Sequence, residues 1–309
     1  MNHSPHFTEK TTAPVDFKRR REPAEIYRDA FRFLRSEWRP LSRLTLIYVL
    51  PFFLLYAAAQ IFIQMKLTGS AAVLQDMEPE KLVKEAWPIY KNLLIILIFN
   101  IFVQSLFMSV LFSYLHGYIA LGKGAFTWRQ VTPILFSNAL VALSASLAVA
   151  LISFSGAIFF ILPGLILANS LSLTVFIAIY ERTGVYPALL RSFFLTRNGW
   201  WATLVINLTA ILIIWGVNIL VTLPLSGSLP AAVTSGSAGT GEAAGALAAT
   251  GAATGALNTA ASTTPELALW QWIYLGASLV ISSLFSVFGY LFQAFQYFNL
   301  SIKSSNPES

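Results

Sequence analysis

The chain has no cysteine and only three histidines. Without thiols there are no disulfides, no zinc–cysteine or iron–sulfur sites and no thiol catalysis. His3 and His6 lie near the N-terminus and His116 ends an apolar run. That is too scattered for a metal centre, which needs several converging ligands. HExxH, Asp-rich and paired-carboxylate motifs are missing, and "GTGEAAG" at 239–245 lacks the spacing of a dinucleotide loop. No catalytic, cofactor-binding or metal-binding residue is therefore assigned, and the chain is not expected to be an enzyme. Charge is also scarce. Charged residues make up 11% and hydrophobic residues 56%, where a soluble domain carries about a quarter charged. So much apolar side chain across 309 residues cannot all hide in a water-soluble core. A signal peptide is not expected, because a long polar and basic stretch precedes the first apolar run.

What is present is apolar length. A membrane span needs about twenty mostly apolar residues. Runs at 44–63, 89–115, 200–223 and 270–298 qualify, and two further spans must share 138–180, which holds no charge before Glu181. "SFSG" at 153–156 and "LPG" at 162–164 both offer a turn inside that stretch. The second is preferred, because Pro163 suits the first turn of a helix. The alternative keeps Pro163 as a mid-helix kink, which membrane helices tolerate. The expected fold is an all-α membrane protein of six transmembrane helices.

Charge sets the expected orientation. The N-terminus, 117–132, 181–198 and the C-terminal tail hold sixteen of the twenty Lys and Arg residues. This positive-inside pattern predicts cytoplasmic termini. The net charge of +6 fits an anionic membrane surface rather than nucleic acid. The segment 226–265 is nearly all Ala, Gly, Ser and Thr. It lacks the large side chains that would offset ordering entropy, and reads as a flexible outer loop.

Three basic segments precede pairs of spans. In 22–40, Ile26, Ala30, Phe33, Leu34 and Trp38 form one stripe and Arg28, Arg32, Arg35 and Arg39 a second. In 186–197, Leu189, Leu190, Phe193 and Phe194 recur at helical spacing with Arg191 and Arg197 elsewhere on the wheel. A weaker version occupies 127–138. Such helices lie in the interface plane, rings in acyl chains and guanidinium groups among phosphates. The expected layout is a disordered N-terminus (1–21), an interfacial helix (22–40), a membrane domain (41–299) and a tail (300–309). Three diverged copies of a surface helix plus a hairpin are one reading. The other is that any juxtamembrane segment looks amphipathic.

Inside the spans the polar groups are amides: Asn100, Gln104, Asn138, Asn169, Asn207, Asn218, Gln293 and Gln296. Hydrogen bonding between helices is the preferred reading, and a polar path for a solute the other. Ala142, Ser146 and Ala150 make a small-residue face on the third span, where backbones can approach closely.

The stretch 161–201 resembles the membrane domain found ahead of glycerophosphodiester phosphodiesterases and related stand-alone YciC-like membrane proteins. The likeness lies in Pro163–Gly164, a span ending at Glu181, then Ala188–Leu189, Arg191–Ser192, Leu195–Thr196 and Trp200. It implies a six-helix bacterial membrane module. Only eleven residues follow Phe298, so hydrolase activity is not carried over. Arg191, Ser192, Arg197, Arg28, Arg32 and Arg35 are the candidate lipid-headgroup contacts, although for Arg191 the preferred reading is structural, an anchor of its surface helix through Glu181 or a carbonyl. Pro163, Gly164 and Glu181 are structural. The expected function is non-catalytic lipid interaction or scaffolding, with membrane lipids and a membrane or cytoplasmic protein as partners. The alternative is a transporter or permease for a lipid or neutral solute.

Overall fold

The computed structural model describes residues 15–17, 19–74, 79–123, 128–223 and 269–305. The expected outer loop at 226–265 and most of the N-terminus lie outside these. Among the described residues there are helices and no strands: α1 (Pro23–Tyr48), α2 (Leu50–Leu74), α3 (Pro79–Leu121), α4 (Trp128–Phe159), α5 (Ile161–Ser170), α6 (Thr174–Tyr180), α7 (Val185–Arg197), α8 (Trp200–Thr222) and α9 (Leu269–Ser305).

Five stretches, Tyr90–Leu121, Ile134–Ile158, Ile161–Tyr180, Trp200–Thr222 and Trp270–Ser304, are long and apolar enough to cross a membrane. The pair α1 and α2 passes the same test only as a bent unit, with 53° between its helices. Among the described residues, five helices, or six when the bent pair is counted, are thus long and apolar enough to span a bilayer, as in a membrane protein.

The bend is not where the sequence reading put it. The interfacial helix was expected to stop at Pro40; α1 runs through Pro40 to Tyr48, and the chain turns at Val49. The cause lies just beyond. Pro51 occupies the first turn of α2, has no N–H to continue the ladder, and restricts the residue before it. The weak surface helix expected at 127–138 is also not separate, because α4 is one helix from Trp128 to Phe159.

The turn between the third and fourth spans falls at Phe160, with Pro163 at the third position of α5. The two helices meet on glycine. A Cβ on Gly164 would stand 2.8 Å from the backbone N and Cα of Ala157, and one on Gly156 3.2 Å from Gly164 Cα. The small-residue face of α4 is buried at Ala142 and Ser146. The fourth span, Ile161–Tyr180, carries a local turn at 171–173 between α5 and α6 but continues without a sharp bend.

Amides join the helices. Asn100 donates to Tyr56 Oη (2.7 Å), Asn138 to Ser113 Oγ (2.7 Å) and Asn218 to Ser282 Oγ (3.2 Å). Gln296 donates to Thr203 Oγ1 (3.0 Å), and Gln104 accepts from Tyr290 Oη (2.8 Å). Each ties one helix to another, the use to which buried amides are put where no water competes.

Candidate functional site

One end of the bundle gathers most of the charged side chains among those described. It holds α1, α7 and the C-terminal ends of α3 and α9. Helix α1 lays Ile26, Ala30, Phe33, Leu34, Leu41 and Leu44 against the bundle. Its other side carries Arg28, Arg32, Arg35, Arg39 and Arg43, all exposed. Trp38, expected in the apolar stripe, instead points outward among them and is 59% exposed. Among the described residues no carboxylate stands within ion-pair distance of Arg28, Arg35, Arg39 or Arg43, while Arg32 lies 3.8 Å from Asp29. Two open grooves run along this ridge. One is lined by Phe31, Leu34, Arg35 and Trp38, the other by Trp38, Arg39, Ser42, Arg43, Leu46 and Ile47.

Two carboxylates lie on the inner face of α1, where the sequence reading saw only apolar residues. Glu37 is buried, accepts from Tyr114 Oη (2.6 Å) and pairs with Lys123 (3.4 Å). Asp29 is buried and accepts from Arg21 Nε (2.8 Å) and Arg19 Nη2 (3.0 Å). Burial pushes the Asp29 carboxyl up, but the Arg21 and Arg19 guanidiniums outweigh it and hold it below the usual carboxylate range. Their positions were legible in principle, because 29 and 37 fall at helical spacing from Ile26 and Phe33.

The Arg21 side chain comes from a strap that was expected to be disordered. Phe17 is 3% exposed. Its ring stacks on Phe295 (4.5 Å between centroids) and meets Phe33, Tyr118 and Phe298 edge-on. The Arg21 guanidinium also lies over the Phe295 ring, 4.9 Å from its centroid, a cation–π distance. It also donates to the carbonyls of Phe17 and Arg19 (3.0 and 3.1 Å). The Arg21 backbone N–H donates to Asn299 Oδ1 (2.9 Å). Described residues 15–17 and 19–22 thus clasp α1 to α3 and α9, which corrects the expectation of disorder through residue 21. The single signal in the sequence was Phe17, a lone large apolar residue among charges.

Helix α7 is amphipathic in an unusual sense. It buries small residues, Ala188, Ser192 and Thr196, together with Leu195. Leu190, Phe193 and Phe194 point outward, and Arg197 is exposed beside them. Arg182, at φ +53°, stops α6 in the left-handed region, and α7 folds back along α6. That return brings Arg191 onto Glu181 as an ion pair, and Tyr297 of α9 donates to the same carboxylate. Arg191 is therefore engaged within the protein. Ser192 is fully buried and gives its hydroxyl to the carbonyl of Ser170 (2.9 Å). It faces away from the surface on which a headgroup contact was expected.

Ser192 thereby serves the local turn in the fourth span. Thr174 N–H turns back to the Leu171 carbonyl, leaving the Ser170 carbonyl to the Ser192 hydroxyl. Asn169 donates to the Trp200 carbonyl (3.2 Å) and accepts from Asn207 (3.0 Å). The Thr174 and Thr196 hydroxyls are buried there without a hydrogen-bond partner. His116 is packed edge-on against Tyr180 (5.5 Å). Among the described residues no three His, Asp or Glu side chains gather as a metal site.

No family model matches the chain, and neither a curated protein nor a solved structure matches it.

Proposed function

We propose that this chain is a non-catalytic, multi-pass protein of the bacterial cytoplasmic membrane, with both termini cytoplasmic, that interacts with lipids and serves as a scaffold. A YciC-like module is the family reading that accompanies it. The observation that carries the proposal is the pairing of α1 and α7. Both sit at the same end of the bundle, and both turn guanidinium groups and large apolar side chains outward. Such faces suit the boundary between acyl chains and phosphates. The partners are membrane lipids and a membrane or cytoplasmic protein, not nucleic acid.

Lipids that copurify in mild detergent, identified by native mass spectrometry, test this. Anionic phospholipid should be enriched over the bulk membrane. Charge reversal of Arg28, Arg32, Arg35 and Arg197 to Glu should reduce the enrichment several-fold, since each basic residue near an anionic surface adds favourable energy. Unchanged adducts would remove the proposal. Arg191 is a poorer probe, because its reversal also breaks the pair with Glu181.

The local turn within the fourth span favours a second reading, a carrier for a lipid or neutral solute. Discontinuous membrane helices line binding sites in many carriers, and two buried hydroxyls lack partners here. The mutual pairing of Asn169, Asn207, Ser170 and Ser192 supports a structural role instead. Flux of labelled lipid in proteoliposomes separates the two readings.

A further inference from the structure

We infer that the elbow between α1 and α2 is a discrete binding site for one anionic phospholipid, with its phosphate between Arg39 and Arg43. The inference rests on the lipid-interaction reading and adds a place, a headgroup class and a path for the tail.

Three observations converge. The first is electrostatic. Arg35, Arg39 and Arg43 recur every four residues on the exposed side of α1, so successive guanidiniums are neighbours on the helix surface. Like charges at that spacing repel, and among the described residues none of the three has a carboxylate partner. An anion laid along the column removes the repulsion, and planar guanidinium groups match phosphate oxygens in bidentate fashion.

The second is shape. The groove of about 570 Å³ at this point is lined by Trp38, Arg39, Ser42, Arg43, Leu46 and Ile47. Its polar members stand at one end and its aliphatic members at the other. Trp38 has an apolar body and an N–H, the combination favoured at headgroup depth.

The third is continuity. Leu46 and Ile47 are 56% and 50% exposed, and beyond the bend Leu54 and Leu55 are 55% and 58% exposed. Pro51, between them, is exposed as well. These positions recur at helical spacing through the turn at Val49, so one apolar track leads from the arginines onto α2. On the lipid-interaction reading, the 53° bend carries the chain from α1 along the surface into α2 entering the apolar layer. A molecule with a phosphate at one end and an acyl chain at the other fits that path; a free phosphate or an acidic peptide would leave the track empty.

The test uses the full chain in phosphatidylcholine nanodiscs containing phosphatidylglycerol, with the ratio of the two lipids retained after detergent exchange read by native mass spectrometry. The wild type should retain phosphatidylglycerol preferentially. Arg39→Ala with Arg43→Ala should lower that preference on the order of tenfold, and Trp38→Ala should lower it less. Arg28→Ala with Arg32→Ala, at the far half of α1, should change it less than about twofold, and the thermal midpoint of all variants should stay near the wild type because these side chains are exposed. If the Arg39/Arg43 variant keeps the wild-type preference while reversal of the whole ridge loses it, the elbow site is overturned and lipid interaction stands. A wild type with no preference overturns both. Displacement of the bound phosphatidylglycerol by decaglutamate, dependent on Arg39 and Arg43, would assign the groove to an acidic protein segment and overturn the lipid.

Discussion

The Arg21–Asp29 pair shows what a single contact contributes here. Both side chains are shielded from solvent, at 0% and 5% exposure. Removing one member of a buried pair strands the other charge, at a cost of about 3–5 kcal/mol. Arg19 remains beside Asp29, so Arg21→Ala should fall at the low end, near 3 kcal/mol, seen as a lowered thermal midpoint in detergent. Adding Asp29→Asn should recover part of the loss. The pair also sets a pH dependence. A carboxyl held below its ordinary value of about 4 stabilises the docked strap above that pH. The contribution is lost as pH falls through the lower value of the docked state. Proteolysis within 15–21 should therefore accelerate below about pH 4, and Asp29→Asn should abolish that acid-triggered step. Acceleration that persists in the Asn variant would show that another group governs it.

Among the elements, the hairpin of α4 and α5 depends on the absence of a side chain. The Gly164 position faces backbone atoms of Ala157, which cannot rotate away as a flexible side chain could. Gly164→Val should cost about 1–3 kcal/mol through overpacking, whereas Ser155→Val, on an exposed position of the same hairpin, should be close to neutral by the same thermal assay. This hairpin was legible in the sequence to within a few residues, because Pro163 suits the first turn of a helix, although the turn itself falls at Phe160 and Gly164 lies inside α5. The end of α1 was less so. Pro40 looked like a stop, yet a helix packed on one face along its length tolerates a proline, and Pro51 set the bend instead. An indole reads as apolar, yet Trp38 faces outward, while Asp29 and Glu37 at inner positions have their charge matched by Arg21, Arg19 and Lys123 from elsewhere. Those partners are distant in sequence or lie on the strap, and helical periodicity carries no information about them. For the same reason Ser192 could be picked out but not its partner, the Ser170 carbonyl.

At the scale of the whole molecule, five of the six expected apolar runs coincide with helices long enough to cross a membrane, while the first, expected at 44–63, is split by the bend at Val49. Orientation is a separate matter, and the lack of native cysteine makes it directly measurable. Single cysteines at Arg197, Ser304 and Trp87, all exposed, can be labelled in sealed vesicles with an impermeant reagent. The positions Arg197 and Ser304 should react from one side and Trp87 from the other. Labelling of all three from one side would overturn the proposed topology. One dimension of the bundle has a further consequence. Helix α3 has 43 residues, about 65 Å at the rise of an α-helix, against roughly 40–45 Å for a bilayer with its headgroups. In the proposed topology, with Leu121 at the arginine-bearing surface, a straight α3 normal to the bilayer reaches about 20 Å past the opposite leaflet at its Pro79 end, less any kink at Pro88. On that topology, the reach of α3 beyond the lipid changes in steps of about 5.4 Å with each helical turn inserted or deleted.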